Sequence, residues 1–167
     1  MTQVFLGLGS NLEREKNIRA GLAALQTLFG YLIFSKVYES EPVGFKGSNF
    51  YNMVVSVHTD LGIASLAEAL KKIEADHGRL RTGPKYSPRT LDIDILTYGD
   101  FVGVEAGVEL PRAEITENAF VLLPLSEIAP QQLHPQLKKT YAELWKAYDH
   151  KSQSLWPIEF NYFTAIF

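Results

Sequence analysis

The sequence predicts an α+β fold, with helices packed on an antiparallel sheet, and three observations carry that expectation. Short β-type runs alternate with helix-period segments in the order strand, helix, strand, strand, helix, strand. The run Leu91-Asp92-Ile93-Asp94-Ile95 alternates strictly, the mark of a strand with one apolar and one polar face. A chain of 167 residues with 46% apolar content can bury one core without disulfides or a structural metal.

Taken in order, residues 4–9 (Val-Phe-Leu-Gly-Leu-Gly) read as a short buried strand that ends at Gly9-Ser10-Asn11. Ile18, Leu22, Leu25 and Phe29 then recur at helical spacing, with Glu13, Arg14, Glu15 and Lys16 solvated near the start. Residues 32–40 are rich in β-branched and aromatic side chains and break at Pro42-Val43-Gly44. Residues 50–58 form the next strand, antiparallel to the last across a loop of roughly ten residues. Leu66, Leu70 and Ile73 mark a second amphipathic helix that fades at Gly78. Residues 82–88 lack a period and contain Pro84 and Pro88, so they read as an exposed, mobile loop before the strand at 91–95. A split βαβ, ferredoxin-like βαββαβ sheet with its helices on one face fits this order.

Beyond Asp100 the pattern is weaker. Residues 101–109 suggest a hairpin arm, and Pro111, Pro124, Pro130 and Pro135 predict short helical turns and loops. Residues 137–148 read as a last helix. The aromatic stretch 156–163 is too apolar to leave in water and is expected to add an edge strand or cover a partner. One domain over residues 1–150 is therefore expected, with a C-terminal extension over 151–167 and a monomer or a dimer formed through that tail.

Composition excludes several classes of function. Sixteen Lys plus Arg against nineteen Asp plus Glu leave a net charge of −3, so there is no basic field for nucleic acid or an anionic membrane. The absence of cysteine removes disulfides, thiolate zinc sites and cysteine nucleophiles. The four histidines, at 58, 77, 134 and 150, lack metal-ligand spacing. The first residues do not form a secretory leader and no apolar run is long enough to span a bilayer, so a cytoplasmic location is expected.

The densest chemistry lies in Arg79-Leu80-Arg81, the Gly/Pro loop, and Arg89-Thr90-Leu91-Asp92-Ile93-Asp94. Strand geometry puts Asp92 and Asp94 on one face, about 7 Å apart, with Leu91, Ile93 and Ile95 facing the core. Two such carboxylates repel unless they are solvated or bridged by a cation, and oxygen-only ligands suit Mg²⁺, which in turn suits substrate phosphates. Arginines opposite them make sense if a polyanion lies between. Each part also has a plainer reading. Arg79 and Arg81 can complement a helix C-terminus, Arg89 can form a surface ion pair, and Glu74 can pair with Lys71 at i,i+3. Gly7-Leu8-Gly9-Ser10-Asn11 reads as a strand-to-helix turn, since it lacks a full phosphate-binding glycine motif. Phe50 and Asn52 share one strand face and, like Phe120, either pack in a core or hold a flat heterocycle by stacking and edge hydrogen bonds.

In chain order the sequence reads Leu8-Gly9-Ser10-Asn11-Leu12, Phe50-Tyr51-Asn52, Gly78-Arg79-Leu80-Arg81, then Pro88-Arg89-Thr90-Leu91-Asp92-Ile93-Asp94-Ile95 and Ala119-Phe120-Val121-Leu122-Leu123-Pro124-Leu125. Over roughly residues 3 to 147 this resembles the 6-hydroxymethyl-7,8-dihydropterin pyrophosphokinase family of folate biosynthesis. The resemblance implies a ferredoxin-like α+β sandwich that moves the terminal pyrophosphoryl group of ATP to the pterin hydroxymethyl oxygen and releases AMP. It implies that Asp92 and Asp94 hold two Mg²⁺ ions, and that Arg79 and Arg89 stabilise the phosphates. Arg81, Glu74 and Ile95 then contact the nucleotide. Phe50 and Phe120 sandwich the pterin, Asn52 reads its edge, and Ser40 and Val43 lie on the loop beside it. Residues 82–88 close over both substrates.

Departures from the family pattern cluster on the nucleotide side. Arg112 follows Pro111 where histidine is common, Asn118 replaces an arginine, Gly107 and Glu109 replace an arginine and a threonine, and Tyr86-Ser87 replaces a frequent Trp-Gly. Arg112 can restore some positive charge toward ATP. The alternative is a pterin-binding paralogue with a degraded ATP site. More remote is an interaction module of the same fold that works through its aromatic tail.

Overall fold

The computed structural model describes residues 1–42, 47–77 and 91–162. β1 (Thr2–Ser10) leads into α1 (Arg14–Phe29), then β2 (Ile33–Phe34), β3 (Tyr38–Ser40), β4 (Phe50–Thr59), α2 (Ile63–Asp76) and β5 (Asp92–Tyr98). A hairpin of β6 (Gly103–Glu105) and β7 (Val108–Leu110) follows, then α3 (Glu114–Glu117), α4 (Ala119–Ile128), α5 (Tyr141–Ala147) and β8 (Leu155–Pro157). The main sheet runs β5-β1-β4-β3-β8, with β2 also on β4, and every pairing is antiparallel. Without β8, that is the strand order of a ferredoxin-like βαββαβ unit, as the element order predicts.

Side-chain alternation divides the sheet into two faces. Leu6, Leu8, Val55, Ile93 and Ile95 pack against Ile18, Leu22 and Leu25 of α1 and Leu66 and Leu70 of α2. Phe5, Val54 and Leu96 face the other way, against Ile115, Val121, Leu122, Leu125 and Tyr141. The sequence places helices on one face only, but α3, α4 and α5 cover part of the second. The cause is visible in β4, where Asn52 to Val57 are buried without interruption, as in a strand covered on both sides.

Three further differences have local causes. The predicted strand at 32–40 is split, because Ser35 donates its N–H to the Val54 carbonyl (2.9 Å) while its hydroxyl accepts the Val54 N–H (3.0 Å) and donates to the Lys36 carbonyl (2.7 Å). The predicted helix at 137–148 starts only at Tyr141. Lys138 has φ 58° and Thr140 forms a reciprocal capping box with Glu143, which fixes the first turn there. Pro124 lies inside α4 rather than ending it, and the buried Ala119, Val121, Leu122 and Leu125 supply the packing that offsets its missing N–H.

The tail contributes a three-residue strand to the main sheet. β8 pairs with β3, and beyond it Ile158, Phe160 and Tyr162 pack against the helix-side core. The Tyr162 ring lies 4.8 Å from Phe34. On the opposite border, β5, the buried Glu74 of α2 accepts the Ile93 N–H with its Oε2 at 2.9 Å.

Candidate active site

The register brings distant residues into rows on the partly open second face. β1 lies between β4 and β5, so Asn52, Gly9 and Asp92 form one row and Val54, Gly7 and Asp94 the next. Tyr38 extends the first row on the far side of Asn52, and Ser40 lies opposite Phe50. Asn52 and Asp92 are thus two strand spacings apart, about 10 Å, with only a glycine between them. A Cβ at Gly9 would lie 2.8 Å from Asn52 Oδ1, closer than real Cβ contacts come. Gly7 and Gly9 are therefore within the central strand and give the site a main-chain floor. The strand expected over residues 4–9 extends to Ser10, so Gly7 and Gly9 lie in the strand itself rather than in the strand-to-helix turn also read for residues 7–11. The informative signal was glycine at alternate positions of a strand, which marks close approach of a ligand or another backbone.

Asp92 and Asp94 lie on one face, as predicted, with Leu91, Ile93 and Ile95 buried on the other. Burial pushes the Asp94 carboxyl up to about 6; Arg112 opposes that rise, and Asp92, Glu114 and Glu74 add to it. The donor set is all oxygen and sits on one strand face. Among the described residues no group of three or more potential metal-binding side chains occurs. A pair of half-buried carboxylates on one face fits Mg²⁺, which completes its shell with waters and substrate phosphates.

Arg112 reaches this pair by a defined route. The β1–β5 register skips Leu96, a bulge that takes this residue out of the ladder. Its carbonyl instead accepts the Arg112 N–H at 2.9 Å, just after the cis Leu110–Pro111 bond. The guanidinium Nη2 is 2.7 Å from Glu114 Oε1 and 3.7 Å from Asp94 Oδ2. Its Nε is buried without a partner among the described residues. Glu114 was not singled out from the sequence; an acid two residues after an arginine carries no signal until the chain is folded.

On the amide side, Asn52 Nδ2 donates to Ser40 Oγ at 3.1 Å, and both side chains are buried. Phe120 is half-buried in the first turn of α4 and packs on the same side of the sheet, the face that β4's alternation gives to Phe50. Glu74 and Ile95, linked to the nucleotide by resemblance, are both largely buried. Glu74 holds the edge of β5, and the Ile95 side chain belongs to the helix-side core. Arg79, Arg81, Arg89, Val43 and the loop at 82–88 lie outside the described residues.

The nucleotide-side departures also find their places. Ala106 and Gly107 form the two-residue turn of the β6–β7 hairpin with φ of 52° and 77°, so glycine at 107 meets a backbone demand. Glu109 is exposed on β7, where solvent screens its charge. Asn118 Oδ1 accepts from Gln153 Nε2 at 2.9 Å.

Comparison with known proteins adds independent findings. The sequence model of the family described as 7,8-dihydro-6-hydroxymethylpterin-pyrophosphokinase matches residues 5–130. A 2-amino-4-hydroxy-6-hydroxymethyldihydropteridine pyrophosphokinase of Porphyromonas gingivalis is 38% identical over 142 residues, 81% of this chain and 96% of that protein. The enzyme of the same name from Haemophilus influenzae is 32% identical over 162 residues, covering 94% of this chain and all of that protein. The folic acid synthesis protein FOL1 of Dictyostelium discoideum is 38% identical over 139 residues, but the match spans only 21% of its length. Among solved structures, wild-type Plasmodium falciparum HPPK-DHPS with pteroate superposes with a TM-score of 0.69 at 17% identity, over 87% of this chain and 42% of that one. At that identity the likeness speaks for the fold.

Proposed function

This chain belongs to the 7,8-dihydro-6-hydroxymethylpterin-pyrophosphokinase family, and from that premise we propose that its glycine-floored face holds ATP and the pterin end to end for pyrophosphoryl transfer. The enzyme is a pyrophosphokinase of folate biosynthesis. The pterin hydroxymethyl oxygen attacks the β-phosphorus of ATP, the bond from that phosphorus to the α–β bridging oxygen breaks, AMP leaves, and the hydroxyl proton is lost to solvent. The observation that carries this assignment is the row Asn52–Gly9–Asp92, an amide and an acid separated by bare main chain.

Each side of the row has one task. Asn52, braced by Ser40, presents amide groups to the edge of the pterin, while Phe50 and Phe120 offer ring faces above and below it. Asp92 and Asp94 would hold Mg²⁺, which when bound supplies charge neutralisation along the triphosphate. Arg112 offers a guanidinium to phosphate oxygens next to the same acids. By family resemblance, Arg79 and Arg89 would complete the phosphate clamp, Arg81 would contact the nucleotide, and Val43 would lie on the pterin side. Glu74 and Ile95, assigned to the nucleotide by the same resemblance, would act from the border of β5, with the Ile95 side chain in the helix-side core. Little covalent work falls to the protein: alignment and charge compensation lower the barrier.

Residues 1–150 as the catalytic unit, 151–167 as its extension, a cytoplasmic location, and a monomer or a tail-mediated dimer complete the proposal. Among the described residues no helix is long and apolar enough to cross a membrane. The paralogue reading draws no support from Gly107 or Glu109, since one answers a turn and the other faces water. The test is AMP release from ATP, Mg²⁺ and the hydroxymethyl dihydropterin, with D92A and D94A beside the parent. Turnover that depends on both acids supports the assignment. Pterin binding without AMP formation in the parent overturns it.

A further inference from the structure

Gln153 lies beyond the residues 5–130 matched by the family, yet it is fastened to the start of α4. Its Oε1 accepts the Ala119 N–H at 2.8 Å, and its Nε2 donates to Asn118 Oδ1 at 2.9 Å and to the Glu117 carbonyl at 3.4 Å. The Tyr148 hydroxyl donates to that same carbonyl at 2.8 Å, and Ser152 Oγ donates to the Tyr148 hydroxyl at 3.3 Å. The first N–H groups of a helix have no partner within it. Asn118, at the N-cap of α4, makes no cap bond, so a side chain 34 residues away supplies one.

A second observation explains why this first turn needs outside support. Pro124 has no N–H to return to the carbonyl four residues earlier, and that carbonyl belongs to Phe120. The turn that carries Phe120 is thus short of one internal bond, and Gln153 ties its first residue, Ala119, to the C-terminal segment. Two residues further on, Leu155 of β8 lies opposite Ser40 of β3. The segment therefore runs from Phe120's turn to the strand that braces Asn52.

We propose that Gln153 is a positioning residue for the pterin: by capping α4 it holds the Phe120 ring at the substrate, so the C-terminal segment is part of the pterin site. This rests on the reading of Phe120 as a pterin-stacking side chain. The experiment titrates the full chain with the hydroxymethyl dihydropterin, followed by pterin fluorescence at a saturating non-hydrolysable ATP analogue. It also titrates with the analogue alone by calorimetry, using the parent, Q153A, Q153M, Q153E and F120A.

Loss of a cap-strength contact predicts roughly five- to tenfold weaker pterin binding for Q153A and Q153M, with nucleotide affinity changed by less than about twofold. Q153E keeps an acceptor for the Ala119 N–H and should retain more pterin affinity than Q153M. Parent-like pterin binding by Q153A and Q153M, with weakened binding by F120A, overturns the proposal and leaves the site assignment standing. Equal losses for pterin and nucleotide also overturn it, because they mark a merely structural contact. Parent-like binding by F120A removes the stacking assignment, and the role of Gln153 with it.

Discussion

Replacing Gly9 with alanine tests the main-chain floor directly. The new Cβ would sit 2.8 Å from Asn52 Oδ1, so the amide has to move, and moving it breaks the 3.1 Å bond from its Nδ2 to Ser40 Oγ. One hydrogen bond between buried groups contributes about 1 kcal/mol, and holding a side chain off its rotamer costs about another 1 kcal/mol. A loss of about 2 kcal/mol in a chain of this size lowers Tm by roughly 4–8 °C. If Asn52 reads the pterin edge as proposed, the displaced amide loses that contact, and since 1.4 kcal/mol is about a factor of ten, pterin affinity should fall about tenfold or more. Scanning calorimetry and pterin fluorescence titration measure the two effects. Gly7→Ala is the comparison, because its Cβ would meet Leu96 Cδ2 at 3.4 Å, an ordinary contact, and Gly7 lies in the row of Asp94 rather than that of Asn52. Parent-like melting and pterin affinity in Gly9→Ala, or equal damage from both substitutions, would refute the reasoning.

Asp94 gives a pH signature. Its carboxyl is raised from 3.8 to about 6, so the folded state holds that proton more tightly than the unfolded chain. Its contribution to stability is therefore full below about pH 4 and is lost as pH rises through about 6. Urea midpoints of Asp94→Asn across this window, without metal, should show a smaller pH slope than the parent; identical slopes would contradict the assignment. Glu127 accepts the Tyr38 hydroxyl at 2.6 Å and the Lys36 N–H at 2.9 Å, so Glu127→Ala should cost about 1–3 kcal/mol in urea unfolding, and a neutral result would show that this pair carries little. Thr140→Ala removes the capping box of α5 and should cost about 1 kcal/mol, whereas Thr140→Ser should restore most of it.

The order of elements along the chain was legible because periodicity is local. Val4 to Leu8, Leu66 to Ile73 and Leu91 to Ile95 each announce an element within a few residues. The alternation at 91–95 also placed both acids on one face. α4 was not legible, because Pro124 reads as a breaker and only packing against Phe5 and Val54 shows why a helix persists there. The capping box of Thr140 and Glu143 was present in the sequence and marks a helix start more sharply than the apolar run used instead. The acid pair and Asn52 could be named in advance, but their separation could not, since it depends on strands 40 residues apart falling into register across Gly9. Arg112's approach to Asp94 needed a bulge at Leu96, and the capping role of Gln153 needed a contact across 34 residues; neither leaves a local trace.

The two borders of the main sheet bear on how the protein behaves when concentrated. An unguarded outer strand is a template on which a neighbouring molecule can stack its own backbone and begin a fibre. One flank is stoppered by the Glu74 carboxylate, which occupies the Ile93 N–H that such a neighbour would need. The other ends in a three-residue strip that contains Pro157, a residue with no N–H to offer. Each outer strand thus has a position where a stacking neighbour finds no free backbone donor, which works against edge-wise polymerisation.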